Sequence, residues 1–131
     1  MSDRRPERLY GILVRDGRVF MRLDGGRLAL PGGPFPPLAE DRKAELSGHI
    51  SEQLGVTVRT LWAQGAFAYA EPGAGPEAFS GFYTAWDWEG EPPAGGGAWL
   101  DAEQVQWAPG IAPSLRILLL SVLDTKAVRT R

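Results

Sequence analysis

The sequence predicts an α/β domain in which a mixed β-sheet is packed between helices. Segments with strand character and segments with helix character follow one another in the order strands, helix, strands, helix, which is typical of a sheet covered by helices. Within one charged segment, Leu46, Ile50 and Leu54 recur every four positions, which predicts a helix with one buried side. The 131 residues suffice for one domain with one core, and we expect a single domain over residues 1–131.

Local signals place the individual elements. Asp16-Gly17 separates two strand-like runs and predicts a tight hairpin, because both residues tolerate positive φ. A short strand then leads into a glycine loop, and the first helix is predicted over 39–54, with Gly55 at the position of a helix stop. The remaining predictions are strands over 56–70 and 79–90, an ambiguous strand or short helix over 99–107, and a final helix over 112–128.

Composition and charge exclude several classes of function. The formal net charge is −2 and no run of Lys or Arg is present, so we expect no polymeric nucleic acid as a partner. The chain has no cysteine, which excludes disulfides and thiolate metal sites. The first residues lack the apolar core of a signal peptide, and the late run ILLLSVL is too short to span a bilayer. A cytoplasmic protein that does not enter the membrane is therefore expected.

The glycine loop and the helix after it could carry chemistry. Gly32 and Gly33 allow the backbone to come close to a ligand or metal, and a helix start favours anions. One polar face of the helix is predicted to hold Asp41, Glu45, Gly48, His49 and Glu52, opposite the apolar stripe. Carboxylates beside such a loop suit a hard cation such as Mg²⁺, with Glu45 and Glu52 as donors and Glu40 near the helix start. The alternative is an ordinary solvated helix face, with His49 as a surface residue.

The stretch Gly33–Val56 resembles the signature of the Nudix hydrolases. That signature combines a glycine, an isolated Glu, an Arg-Glu pair and a Glu-Glu pair before a final glycine and an aliphatic residue. Counted back from Gly55, Glu52 matches the first residue of the Glu-Glu pair, and Gln53 falls on the second. The resemblance implies a Nudix-type α/β/α sandwich with a mixed sheet, and the element order can be laid on that plan over nearly the full length.

The signature is degenerate at its other positions. His49 stands where the family has the Glu of its Arg-Glu pair, and Gly48 stands where it has the Arg. Glu40 matches the isolated Glu, but six residues separate it from Gly33, one more than in the signature. Typical members bind divalent cations through the paired glutamates and the Glu after Arg. The resemblance therefore implies a weaker or single-ion site for Mg²⁺ or Mn²⁺.

The resemblance also implies an activity and a set of site residues. The expected reaction is hydrolysis of a phosphoanhydride bond in a nucleoside or deoxynucleoside triphosphate, with release of phosphate or pyrophosphate. Two alternatives stay open: a Nudix-fold module that binds a nucleotide or a protein without cleaving it, and a pyrophosphatase acting on ADP-ribose or another nucleotide sugar. Since the family is often dimeric, a homodimer is one expected state. The predicted residues are Glu52, Glu45 and His49 for catalysis, and Glu52, Glu45, Gln53 and Gly33 for the metal.

Substrate binding is predicted from residues outside the helix as well. Arg22, at the end of a strand, could meet phosphate, and aromatic rings on the strands could stack on a base. The predicted substrate-binding residues are Gly32, Gly33, Arg22, Tyr69, Tyr83 and Trp86. For the aromatic residues the alternative is that they fill the core. An additional carboxylate outside the signature is expected among Glu71, Glu77, Asp101 and Glu103.

Overall fold

The computed structural model describes residues 4–73 and 75–129. Its strands are β1 (Arg8–Arg15), β2 (Arg18–Asp24), β3 (Arg27–Ala29), β4 (Gly32–Pro34), β5 (Thr57–Val58), β6 (Trp62–Tyr69), β7 (Ala78–Ala85), β8 (Trp88–Glu89) and β9 (Gly97–Leu100). Its helices are α1 (Arg42–Leu54), α2 (Ala102–Trp107) and α3 (Pro113–Arg129). None of the helices in this part of the chain combines the length and hydrophobicity needed to cross a membrane.

The sheet is mixed, as predicted, and strand β1 lies at its centre. It pairs in parallel with β7 and antiparallel with β2 and β4. On one side the sheet continues from β7 to β6, and on the other side β2 pairs with both β3 and β9. Strands β5 and β8 form a separate two-stranded sheet. The parallel pairing requires the long connection between β1 and β7, which contains α1.

The two faces of the sheet bury two separate apolar cores. Along β1, Leu9 and Leu13 point into the core beneath α1, while Tyr10 and Ile12 point into the core beneath α3. This alternation is the period of two expected for a strand that is buried on both sides. The result is a three-layer α/β/α sandwich, which confirms the predicted fold class.

Helix α1 lies directly on the sheet because β1 carries a glycine beneath it. A Cβ atom at Gly11 would be 2.6 Å from Cδ1 of Ile50, so a larger residue would require the Ile50 side chain to move. The helix begins three residues later than predicted, because the Asp41 side chain caps it by accepting a hydrogen bond from the Ala44 N–H. It ends at Gly55, the helix stop that the sequence predicted, where the backbone is left-handed (φ 70°).

The ambiguous segment 99–107 contains both of the predicted structures. Strand β9 ends at Leu100, and α2 begins immediately after it. Asp101 accepts a hydrogen bond from the Gln104 N–H at 2.8 Å, and the Gln104 side chain accepts one from the Asp101 N–H at 2.8 Å. This reciprocal capping box explains why the strand changes to a helix at that residue.

Candidate functional site

Helix α1 presents two carboxylates to a shallow concavity. Glu45, His49 and Glu52 line this concavity of about 260 Å³ together with Ala44 and Gly48. The shared face of Glu45, Gly48, His49 and Glu52 was predicted from their spacing along the helix, whereas Ala44 was not part of that prediction. Within the described part of the chain, neither the Glu45 nor the Glu52 carboxylate makes a hydrogen bond or an ion pair. Both are therefore available to a ligand.

The predicted glycine loop forms the short strand β4, which pairs with β1, and Gln53 binds this segment instead of facing the concavity. Its Nε2 donates a hydrogen bond to the Gly32 carbonyl oxygen at 2.7 Å, and its Oε1 accepts one from the Gly32 N–H at 3.0 Å. The carbonyl oxygen predicted as a metal ligand is thus already occupied by a backbone donor. The sequence signal for this contact was weak, because it depends on the loop folding back onto the end of α1.

His49 also contacts the loop, one helical turn before Gln53. Its Nε2 lies 2.8 Å from the Pro34 carbonyl oxygen, which can only accept, so Nε2 carries the proton of this hydrogen bond. The imidazole ring packs on Gly33, where a Cβ atom would be 2.9 Å from Cε1. The only histidine in the sequence therefore supports the loop, in addition to lining the concavity.

The two loop glycines make close contacts within the protein itself, whereas the prediction was a close approach to a ligand or metal. Gly32 has φ +154°, and a Cβ atom there would be 2.1 Å from the Leu9 carbonyl oxygen. Gly33 lies under the His49 ring. Both residues are buried, so the loop is held against β1 and α1.

The spacing and number of the carboxylates on α1 determine whether a divalent cation could bind there. Glu45 and Glu52 are seven residues apart, so their backbones are separated by about 10.5 Å along the helix axis. Among the residues that the structure describes, no three His, Asp or Glu side chains form a metal-binding group. Mg²⁺ commonly binds through one or two carboxylates together with substrate phosphates and water. The α1 face fits a cation that arrives with phosphates and does not fit an ion held by protein ligands alone.

The predicted aromatic residues lie mainly in the two cores. Tyr69 is 3% exposed and packs against Tyr10 and Phe82 on the α3 side of the sheet. Tyr83 is 6% exposed and belongs to the core beneath α1. Trp86 is partly buried against the α3-side core. These positions fit the alternative of core filling, and the structure does not gather the three rings around the α1 concavity.

Arg22 takes part in a partly buried ionic cluster that the sequence did not reveal. The Glu71 carboxylate lies 3.3 Å from Arg8 and 3.7 Å from Arg22, and Arg22 also lies 3.7 Å from Asp24. Glu71 is only 9% exposed. The Nε atom of Arg22 is buried and has no hydrogen-bond partner among the described residues. Glu71, one of the expected additional carboxylates, is therefore paired with arginines. Asp101, another of them, accepts the hydrogen bond that caps α2.

Two buried tyrosines near this cluster, Tyr10 and Tyr69, have raised pKa values. Burial, with a smaller contribution from the negative charge of Glu71, raises the pKa of Tyr69 to about 12. Burial also raises the pKa of the Tyr10 hydroxyl, although the hydrogen bond that it accepts from Arg8 at 2.7 Å acts in the opposite direction. Both tyrosines therefore stay neutral at physiological pH.

A second, mostly apolar cavity lies between loops. It has a volume of about 560 Å³ and is lined by Gly26, Arg27, Leu28, Pro72, Pro109 and Gly110. The three connections that form it join β2 to β3, β6 to β7 and α2 to α3. No residue of this cavity was predicted to belong to a site.

Solved structures of Nudix hydrolases and MutT proteins superpose on the chain over most of its length, and the chain has the Nudix fold. A MutT Nudix hydrolase from Burkholderia pseudomallei superposes with a TM-score of 0.71 at 21% identity, covering 86% of this chain and 93% of that chain. The ORF135 protein of E. coli gives 0.69 at 20% identity, with 95% and 92% covered. A MutT protein from Bacillus halodurans gives 0.71 at 21% identity, with 90% and 82% covered.

The similarity to these proteins lies in the fold more than in the sequence. No protein-family model matches the chain, and no curated protein matches it at the similarity required. The degenerate signature is consistent with this difference, since Gly48, His49 and Gln53 replace the residues that the signature specifies.

Proposed function

We propose that this protein is a Nudix-type hydrolase that cleaves a phosphoanhydride bond in a nucleoside or deoxynucleoside triphosphate. The observation that carries the proposal is the α1 concavity, where the carboxylates of Glu45 and Glu52 have no partner among the described residues and lie beside a preformed glycine loop. The fold shared with proteins named MutT and Nudix hydrolase supports the same class of reaction.

The two carboxylates would have different tasks. A divalent cation, Mg²⁺ or Mn²⁺, supplies charge neutralisation at the phosphate oxygens when bound. Glu52 would bind that cation, because its side chain is exposed and it matches a glutamate of the signature. Glu45 lies two helical turns earlier and would accept a proton from the attacking water. His49 and Gln53 would keep the loop in place beneath the phosphates.

The apolar cavity provides space for the nucleoside. Leu28 lines it and lies four residues before Gly32, so the two positions are at most about 14 Å apart along the chain. Its walls consist largely of proline, leucine and glycine, which suit the faces of a base and offer few groups that would select one base. A compact nucleotide would place its base there and its phosphates at α1.

A second function is favoured by one specific observation. Two positions of the signature that would carry carboxylates hold Gln53 and His49, and both side chains bind the loop. A Nudix-fold module that binds a nucleotide without cleaving it could use the loop held by Gln53 and His49, and it would not need the Glu52 carboxylate.

A product analysis separates these functions. Purified protein is incubated with nucleoside triphosphates, deoxynucleoside triphosphates and ADP-ribose in Mg²⁺ or Mn²⁺, and phosphate, pyrophosphate and nucleotide products are resolved by chromatography. We expect turnover of at least one triphosphate, with a decrease in kcat/KM of about 100-fold in Glu52→Gln and a smaller decrease in Glu45→Gln. Glu7→Gln is the matched control, because Glu7 is exposed and its side chain makes no hydrogen bond or ion pair in the described structure.

The other outcomes assign the alternatives. If ADP-ribose is cleaved in preference to every triphosphate, the substrate proposal is wrong and the pyrophosphatase is correct. If nothing is cleaved but a nucleotide binds equally to the wild type and to Glu52→Gln, the protein is a binding module.

A further inference from the structure

Gln53 and His49 fasten the glycine loop to α1 from two successive turns of the helix. The Gln53 amide makes two hydrogen bonds to Gly32, one to its N–H and one to its carbonyl oxygen. His49 makes a third, to the Pro34 carbonyl oxygen at 2.8 Å. Because the three bonds reach both ends of the short strand β4, they fix its position and its orientation on the helix.

Strand β4 needs these bonds because it has a strand on one side only. It pairs with β1, and none of the other described strands pairs with it. Gly32 is buried, and buried peptide groups require hydrogen-bond partners. A side-chain amide carries both a donor and an acceptor, so Gln53 satisfies the Gly32 N–H and carbonyl groups as the backbone of a neighbouring strand would.

A carboxylate at position 53 would not serve the same purpose. It would accept the hydrogen bond from the Gly32 N–H, but it has no proton to donate to the Gly32 carbonyl oxygen. Two oxygen atoms would then face each other where the present donor and acceptor are 2.7 Å apart. Such a pair is stable only if a cation lies between the oxygens or if the carboxyl group is protonated.

We propose that Gln53 is a positioning residue that holds the glycine loop in place without a metal ion, with His49 as a second point of attachment. The amide N–H of Gln53 occupies the place that a cation would take between a carboxylate and the Gly32 carbonyl oxygen. The loop is therefore formed before any cation binds. The inference rests on the proposed function only in that the cation then enters with the phosphates of the substrate.

Hydrogen exchange on the wild-type protein tests the proposal without any nucleotide. The hydrogen-exchange rate of the Gly32 amide is measured by NMR in buffer with EDTA and again in buffer with Mg²⁺ in place of EDTA. We expect the amide to be protected in EDTA, at a rate that Mg²⁺ does not change. Exchange at the rate of an unprotected amide in EDTA, with protection only after Mg²⁺ is added, would overturn the proposal.

Variants at position 53 test the chemistry of the contact. In EDTA at neutral pH, Gln53→Glu should lower the thermal midpoint by about 5 °C, and added Mg²⁺ should restore most of that loss. Gln53→Met removes both hydrogen bonds without adding charge, so its midpoint should fall and should not respond to Mg²⁺. Gln106→Glu is the matched control, since Gln106 is exposed on α2 and should show neither effect.

Two results for these variants would contradict the proposal. One is a Gln53→Glu protein as stable as the wild type in EDTA, and the other is an equal response of Gln53→Glu and Gln53→Met to Mg²⁺. Because no nucleotide is present, a protein that hydrolyses nothing can still confirm the loop attachment. A hydrolase whose loop forms only with metal would refute it while leaving the proposed function intact.

Discussion

Glu52 and Glu71 are both glutamates, but the fold treats their carboxylates in opposite ways. Glu52 is exposed on α1 and contacts no partner in the described part of the chain. Glu71 is buried and lies between the guanidinium groups of Arg8 and Arg22. A buried carboxylate must be paired to remain charged, whereas an exposed one is stabilised by water until a ligand replaces it. The comparison shows that a carboxylate near a cavity is a candidate ligand only when the protein has not already paired it.

The largest effect on stability is expected from Glu71→Gln. This change leaves the charges of Arg8 and Arg22 close together without their shared counter-ion, and we expect a loss of about 3 kcal/mol in the free energy of unfolding. Urea denaturation at neutral pH measures it. The control is Glu91→Gln, which breaks the exposed ion pair with Arg15 and should leave the unfolding curve unchanged. Equal effects of the two substitutions would show that burial does not distinguish these carboxylates.

A smaller effect is expected from alkaline pH, through Tyr69. Its pKa is about 12 in the folded protein and about 10 in the unfolded chain, so the unfolded state loses its proton first. The stabilising contribution is complete below pH 10 and is lost as the pH rises from 10 to 12, by about 2 kcal/mol. Urea denaturation of the wild type and of Tyr69→Phe at pH 8 and pH 12 measures the difference. A wild type that loses no more stability than Tyr69→Phe would contradict the burial of this hydroxyl.

The smallest effect on stability is expected from Glu52→Gln. Because the Glu52 carboxylate has no partner in the described structure, the free energy of unfolding should change by less than about 0.5 kcal/mol. Urea denaturation measures this change in the free energy of unfolding, which is to be compared with the large decrease in kcat/KM expected for the same variant. Destabilisation comparable to that of Glu71→Gln would mean that Glu52 has a structural partner and would remove it from the candidate site.

The features predicted correctly from the sequence are those with short-range causes. The stripe of Leu46, Ile50 and Leu54 defines the buried side of α1 regardless of what covers it, and all three residues are buried. Asp16 and Gly17 both have positive φ in the hairpin, as their residue types suggested. Each of these features depends on neighbours within a few residues, so one sequence is enough to find it.

The contacts that define the candidate site span longer distances along the chain. Gln53 meets Gly32 across 21 residues, and Arg8 meets Glu71 across 63. A glutamine at the end of a helix and a glutamate after a strand look like ordinary surface residues in the sequence. Only the pairing of β4 with β1, and the turn that buries Glu71, give these side chains their partners. For this reason the polar face of α1 was predicted, while the use of its individual residues was not.

The glycine beneath α1 has a consequence for anyone who wishes to rebuild this site. Gly11 leaves room for the Ile50 side chain against β1, and the same helix carries the side chain of Gln53 that binds the loop. An engineer who grafts a complete set of acidic ligands onto α1 should keep glycine at position 11, where a Cβ atom would collide with the Ile50 side chain. The small choice of residue types at position 11, which lies outside the candidate site, thus limits how the polar face of α1 can be redesigned.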